Sequence, residues 1–198
     1  MFPLFLKLAG RRCLLVGAGH VGEGKLQSLL REKARVTVVS PRATDGVQRL
    51  ARVGEVVWRR RKFAGRDLDG MVLVVAATAS PETNAEIFRQ ARRRGVLCNA
   101  VDDPRHCDFY YPAVLRRGRL QIAISTGGAS PELASRLRKE LESCFGAEYG
   151  PWVEHLGRRR EELRQGVTAP AQRQQLLRRL ASRRAYELFV RQSASAEK

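Results

Sequence analysis

A glycine triplet at fixed spacing, Gly17-Ala-Gly19-His-Val-Gly22, limits what this chain can fold into more than any other stretch. The short apolar run Arg12–Val16 leads straight into it. Beyond it Val21, Leu26, Leu29 and Leu30 recur at helical spacing, with Lys25 and Gln27 on other faces. The β-branched run Arg35–Val39 then reads as a buried strand. Residues 12–39 therefore predict a β-α-β unit with the triplet at its strand-to-helix turn. In that setting Gly17 allows the tight turn, Gly19 lets backbone amides approach a pyrophosphate, and Gly22 permits close packing of helix on strand. The positive end of the helix dipole then faces the phosphates. A packing turn that binds nothing has the same spacing, so it is the surrounding β-α-β context that favours a dinucleotide.

The pattern continues through Leu50–Val57 (a helix end and a strand), the apolar strand Met71–Ala76, a helix from Pro81 to about Arg93, and a short strand at Val96–Cys98. Strands without alternation, separated by helices, predict a parallel sheet covered on both faces. Near Tyr111-Pro112 the character changes. Ala113–Leu115 and Leu120–Ser125 read as a hairpin turning at Gly118. Ser130-Pro131 opens a helix that runs to about Phe145 and stops at Gly146. From Trp152 to Val190 the period is helical, broken around Gly166–Pro170, and Ser193–Lys198 is expected to fray. The expected fold is α/β: a Rossmann-like parallel-sheet domain over 1–113, a small α+β domain over 114–146, and a helical C-terminal domain over 147–198.

Composition removes several alternatives. With 43% hydrophobic residues and 8 prolines the chain is neither disordered nor collagen-like. The longest apolar run, Met71–Ala79, is too short to span a bilayer, which takes roughly 20 residues. Pro3 and Lys7 interrupt the apolar opening, so no secretory signal is expected. Four scattered cysteines without a CxxC pair suit a reducing compartment, and the expected location is the cytoplasm. The net charge of +17 invites a nucleic-acid reading, but the excess is spread out. Residues 1–113 carry 20 basic and 11 acidic side chains, 114–146 carry 6 and 3, and 147–198 carry 11 and 6. Neither a helix-turn-helix nor a zinc finger accompanies it, and a polyanionic small substrate is served equally well. No nucleic-acid or membrane partner is expected.

Two further stretches carry candidate chemistry. The second strand of a dinucleotide fold ordinarily ends in an acidic residue for the adenosine ribose, whereas this chain has Ser40-Pro41-Arg42. Ser40 suits a ribose hydroxyl and Arg42 a 2′-phosphate, or an ordinary loop charge. The residues leave NAD against NADP open. The second stretch is Asn99-Ala-Val-Asp102-Asp103-Pro-Arg-His106-Cys107-Asp108, expected just after the last strand of the sheet. Open parallel sheets bind ligands at that carboxyl edge. Two carboxylates beside a histidine suit acid–base work or passing contact with a metal, and equally a capped turn before Pro104. No resident metal site is expected.

Taken in order, these segments resemble one family. Phe2–Leu8, Val16–Gly22 with Lys25, Val36–Pro41, Ala76–Thr78 with Asn84, Cys98–Asp102, Phe109–Ala113 and Ile122–Pro131 are all similar to precorrin-2 dehydrogenase/sirohydrochlorin ferrochelatase, the N-terminal module of siroheme synthases. The likeness covers residues 2 to about 146, and the blocks at 98–113 and 122–131 are its most specific parts. The family implies NAD-dependent oxidation of precorrin-2 to sirohydrochlorin and, in many members, insertion of ferrous iron as a substrate to give siroheme. It implies a homodimer, a dimerising central domain and a tetrapyrrole partner. Asp102 falls on the family's general base. Gly17, Ala18, Gly19, His20, Val21, Gly22, Ser40, Pro41, Arg42, Ala77 and Thr78 fall on nucleotide contacts, and Asn99, Thr126, Gly127 and Gly128 on substrate contacts.

Departures from the family are few. Thr126 stands where some members have serine, and Gly22 and Gly24 replace larger residues. At 198 residues the chain leaves no room for a fused uroporphyrinogen methyltransferase, so a separate one is expected. The rival readings are a dehydrogenase without chelatase activity and a Rossmann unit that senses nucleotide without turnover.

Overall fold

The computed structural model describes residues 1–166 and 169–196 and divides into two compact units, Met1–Tyr110 and Tyr111–Lys198. The first unit alternates strand and helix: β1 (Arg12–Ala18), α1 (His20–Arg31), β2 (Arg35–Ala43), α2 (Asp45–Arg52), β3 (Val56–Arg59), β4 (Leu73–Ala76), α3 (Pro81–Arg93) and β5 (Leu97–Ala100). The strands form one parallel sheet in the order β3-β2-β1-β4-β5. Successive strand side chains point to opposite faces, and both faces of the central strands are covered. Leu14 and Val16 join Val74, Ala76, Ile87, Phe88 and Cys98 in one cluster, while the intervening Cys13 and Leu15 are fully buried as well. That explains why the strand sequences are apolar throughout instead of alternating.

Two of the differences from the sequence reading bear on the site. β2 continues to Ala43, so Ser40, Pro41 and Arg42 lie within it. β3 pairs with β2 only as far as Val39, opposite Arg59, and a register shift in β1 lets Ala18 pair with Ala43. Proline is tolerated at 41 because β2 has lost its neighbour on one side there. β5 starts one residue late and extends to Ala100, which makes Asn99 a strand residue.

The second unit is a hairpin with helices. β6 (Ala113–Arg117) and β7 (Leu120–Ile124) pair antiparallel around Gly118, whose φ is +54. A short hairpin turn needs such an angle there. The helices are α4 (Pro131–Cys144), α5 (Tyr149–Gly166), α6 (Pro170–Leu180) and α7 (Arg183–Ala196). Arg117 Nε donates to the Phe145 carbonyl at 2.8 Å, tying the end of α4 to the hairpin. Trp152, Tyr186 and Phe189 make an aromatic cluster between α5 and α7. The sequence reading had no break between α6 and α7, where Ser182 Oγ accepts from the Ala185 amide. α7 is assigned as far as Ala196, so it includes the first four residues of the expected tail. Positions 167–168 of the expected break and 197–198 of the expected tail lie outside the described residues. None of the described helices is long and apolar enough to cross a membrane.

Candidate functional site

The strand order reverses between β1 and β4, and in open α/β sheets the crevice at that reversal is where ligands bind. Gly17 sits there with φ +94, and a Cβ on it would lie 2.2 Å from the Ala77 carbonyl oxygen. A Cβ on Gly22 would lie 2.3 Å from the Gly17 carbonyl oxygen. These two glycines let the β1–α1 turn, the start of α1 and the end of β4 close on one another. At Gly19 the same test meets nothing within 4 Å, so the space in front of the α1 N-terminus is open.

The helix starts of α2, α3 and α4 are closed by side chains, with Thr44 accepting from Val47, Ser80 from Thr83 and Ser130 from Leu133, whereas α6 after Ala169 has no such cap. α1 begins at Gly19 with no side-chain cap. Its first-turn amides, at exposed His20 and Val21 and at Gly22, therefore lack the oxygen that a cap would offer. An open space, an uncapped helix start and two obligatory glycines fit a bound pyrophosphate.

Around this cradle the other nucleotide candidates are held by backbone. The Ala77 amide donates to the Val16 carbonyl at 2.7 Å. Asn84, buried on α3, accepts from the Thr78 amide and hydroxyl at 3.1 and 2.7 Å and returns a bond from Nδ2 to the Thr78 carbonyl. On β2, Ser40 is buried and its hydroxyl donates to the Arg42 carbonyl at 2.6 Å, so its proton is already engaged. Trp58 Nε1 donates to the Ser40 carbonyl and carries the Arg60 guanidinium 4.3 Å above its ring. Pro41 and Arg42 remain exposed.

β5 lies beside β4, and the loop that leaves it carries the acid–base candidates. Its two ends are stitched together. Asn99 Nδ2 donates to the Phe109 carbonyl at 2.8 Å, and the Cys98 amide donates to Asp108 Oδ2 at 3.0 Å. Asn99 and Cys107 also form an isolated bridge. Asn99, assigned to substrate by resemblance, thus has its amide committed to closing the loop. At the tip, Asp102 is exposed with φ +59, a left-handed conformation that costs of order 1 kcal/mol or more in a non-glycine residue. Next to it, His106 Nδ1 donates to Asp103 Oδ2 at 2.5 Å, and its ring packs T-shaped with that of Phe88, centroids 5.2 Å apart. The His106 bond holds the Asp103 carboxyl below its ordinary range.

One neighbour of Asp102 escaped the sequence reading as a site residue. Lys25, half-buried on α1, feels the charges of Asp102 and Cys107. Burial pulls its ammonium pKa down and those two groups work against the pull. Only the chain reversal brings α1 against this loop, and the one hint in the sequence was the position of Lys25 within the resembling segment. Cys107 donates its thiol to the Ala100 and Asp103 carbonyls, and burial pushes its pKa up. Cys98 is pushed to about 12, chiefly by burial and then by Asp108, so both thiols stay protonated near neutrality. All four cysteines are free, and no cluster suited to holding a metal occurs among the described residues.

In the second unit, Gly127 and Gly128 have φ of +68 and +87 in the exposed turn between β7 and α4. Thr126 Oγ1 accepts from the Ser130 amide and donates to its carbonyl, both at 3.0 Å. The threonine hydroxyl thus serves the turn, a job serine performs equally.

Comparison with known proteins points one way. Residues 4–113 match a family model described as putative NAD(P)-binding, and residues 117–143 match one described as sirohaem biosynthesis protein central. A siroheme synthase from Methylococcus capsulatus is 38% identical over 188 residues, covering 95% of this chain and 40% of that protein. One from Photorhabdus laumondii is 37% identical over 171 residues, covering 86% and 36%. The chain thus spans about two-fifths of the length of these curated relatives. Among solved structures, SirC, a precorrin-2 dehydrogenase, superposes with a TM-score of 0.78 at 26% identity, covering 97% of this chain and 98% of that one.

Proposed function

The chain belongs to the putative NAD(P)-binding family, and from that premise we propose that it catalyses NAD-dependent oxidation of precorrin-2 to sirohydrochlorin in siroheme biosynthesis. The observation that carries this reading is the match along nearly the whole chain to a precorrin-2 dehydrogenase. Asp102 stands at the carboxyl edge of β5, one strand from the chain reversal.

The α1 first-turn amides of His20, Val21 and Gly22 hold the pyrophosphate, with Gly17, Ala18 and Gly19 giving it room. Ser40, Pro41 and Arg42 line the adenosine side, and Ala77 and Thr78 close the cradle from β4. Arg42 also suits a 2′-phosphate, so NADP is tested beside NAD. When bound, the oxidised nicotinamide supplies the hydride acceptor. The substrate then has one proton to lose, and the exposed Asp102 carboxylate takes it and passes it to water. Lys25 provides a fixed counter-charge beside that carboxylate. Asn99 keeps the loop closed, and the Thr126-Gly127-Gly128 turn is assigned to substrate by the resemblance alone.

Insertion of ferrous iron into sirohydrochlorin is the second reading, favoured by the siroheme synthases among the relatives. Iron is then a substrate. We assign residues 114–146 to dimerisation and 147–198 to helical support in a cytoplasmic homodimer, fed by a separate uroporphyrinogen methyltransferase. In the test, precorrin-2 is incubated anaerobically with NAD or NADP and followed by visible spectroscopy. Asp102→Ala is expected to bind nucleotide normally but turn over about 10²–10⁴-fold more slowly. Normal turnover in that variant removes Asp102 from the mechanism. Failure of the folded, unsubstituted protein to oxidise with either nucleotide leaves a unit that binds nucleotide without turnover.

A further inference from the structure

Oxidation and metal insertion differ in how many protons they release. Oxidation removes one hydride and one proton, which a single carboxylate handles. Insertion of a divalent ion breaks two N–H bonds at the centre of the macrocycle. Metal–nitrogen bonds replace them, both protons leave, and no electrons move. A second proton acceptor therefore has work to do only in insertion.

The loop after β5 offers one such group. Asp108 is engaged with the Cys98 amide, and the raised pKa of Cys107 keeps its thiol from acting as a base. Arg105 is a cation. The Asp103 carboxylate is bonded to His106 Nδ1 and to the Arg105 amide. His106 itself is fixed on two sides, by Asp103 at 2.5 Å and by the Phe88 ring at 5.2 Å. With Nδ1 donating to the carboxylate, Nε2 carries the lone pair, and it has no hydrogen-bond partner among the described residues. A carboxylate that orients an imidazole in this way also stabilises the imidazolium once a proton arrives. The side chain is about a quarter exposed, 28%, which leaves it reachable.

We propose that His106, positioned by Asp103, is the second proton acceptor of this edge and acts when a divalent metal enters the macrocycle. One pyrrole proton goes to the Asp102 carboxylate and the other to His106 Nε2, and both then pass to water. The inference rests on the insertion reading above and goes beyond it in dividing the two reactions between two bases.

The test supplies sirohydrochlorin directly, with Co²⁺ as the probe ion, and measures precorrin-2 oxidation with NAD on the same preparation. His106→Gln is expected to lower the ratio of insertion rate to oxidation rate by about tenfold or more. Asp103→Asn lowers the ratio less and Asp103→Glu restores it, which a merely structural role for Asp103 would not produce. Imidazole in the buffer is expected to return part of the insertion rate to His106→Ala. An unchanged ratio in His106→Gln overturns the proposal, and so does an unsubstituted protein that fails to accelerate insertion. Loss of oxidation in the unsubstituted protein instead defeats the dehydrogenase reading, and insertion from supplied sirohydrochlorin still decides the case of His106.

Discussion

The two units use similar numbers of residues very differently. In Met1–Tyr110 a five-stranded sheet is covered on both faces, and its central strands β1 and β4 are buried along almost their whole length. In Tyr111–Lys198 the buried hydrophobic side chains among the described residues are Leu115, Ala134 and Trp152, on a two-stranded ribbon and two helices. A two-stranded ribbon is marginal by itself and needs further strands or packed helices to persist. The first unit closes its own core, and the second leaves Ile122, Ile124 and Leu137 only half-covered. That imbalance supports the assignment of 114–146 to a dimer contact. It also implies that damage to each unit should be read separately. The chain carries 2 tryptophans, Trp58 in the first unit and Trp152 in the second, so fluorescence of Trp58→Phe and Trp152→Phe backgrounds reports the units one at a time.

The largest effect is expected at Gly17. Alanine there is strained at φ +94, and its Cβ would meet backbone, which cannot swing aside. Gly17→Ala should destabilise the first unit by about 3 kcal/mol or more and abolish measurable nucleotide binding. Denaturant unfolding followed at Trp58 should show an early transition while Trp152 keeps its own midpoint. A common shift at both tryptophans would show that the units unfold together and would break the comparison.

Much of the first unit was legible in the sequence because its determinants are local. The glycine triplet, the apolar strands and Ser80-Pro81 each dictate their own conformation within a few residues. What stayed hidden depends on neighbours distant in the chain. The extension of β2 through Pro41 depends on where β3 stops, and the nearness of Lys25 to Asp102 depends on how α1 crosses the sheet. Asn99 is a substrate residue only by resemblance, and its amide closes the loop that presents Asp102. The pairing of Asp103 with His106 spans a single turn and was visible only as adjacency. In the second unit the period of the helices could be read, but the break at Ser182 could not, since serine also sits comfortably on a solvated helix face.

A middle-sized effect separates the units by pH. Asp67 has a fully buried side chain. Burial alone would raise its pKa, but hydrogen bonds from Arg61, the Ala64 amide and Arg59 overcome this and bring it to about 2. A carboxyl whose folded pKa lies below its unfolded value adds stability above the unfolded pKa, and that stability is lost as pH falls toward the folded one. Between about pH 4 and pH 2 the first unit should lose on the order of 2 kcal/mol from this group. The ion pairs of the second unit, such as Arg136–Glu140 and Arg183–Glu187, are exposed and helical, worth roughly 0.3–0.5 kcal/mol each. Urea midpoints at Trp58 should therefore fall more steeply with acid than those at Trp152. Asp67→Asn should flatten the Trp58 profile, and an unaltered profile would take the pH dependence away from this carboxyl.

The smallest effect probes the second unit's own substitute for a deep core. Tyr186 on α7 stacks on Tyr149 with ring centroids 4.7 Å apart and donates its hydroxyl to Glu148 Oε1 at 2.6 Å. Burial and the Glu148 bond together drive the phenol pKa up. The same bond leads in pulling the Glu148 carboxyl down. Tyr186→Phe keeps the ring stack and removes only the hydrogen bond, and Glu148 stays near enough to solvent to find water. The expected loss is about 1 kcal/mol, seen at Trp152 and not at Trp58. The neighbouring rings of Trp152 and Phe189 should be unmoved, so near-ultraviolet dichroism should change little. A loss of several kcal/mol would mean that this one polar contact anchors α7 to α5, and that the second unit is held by a few specific bonds where the first is held by its buried sheet.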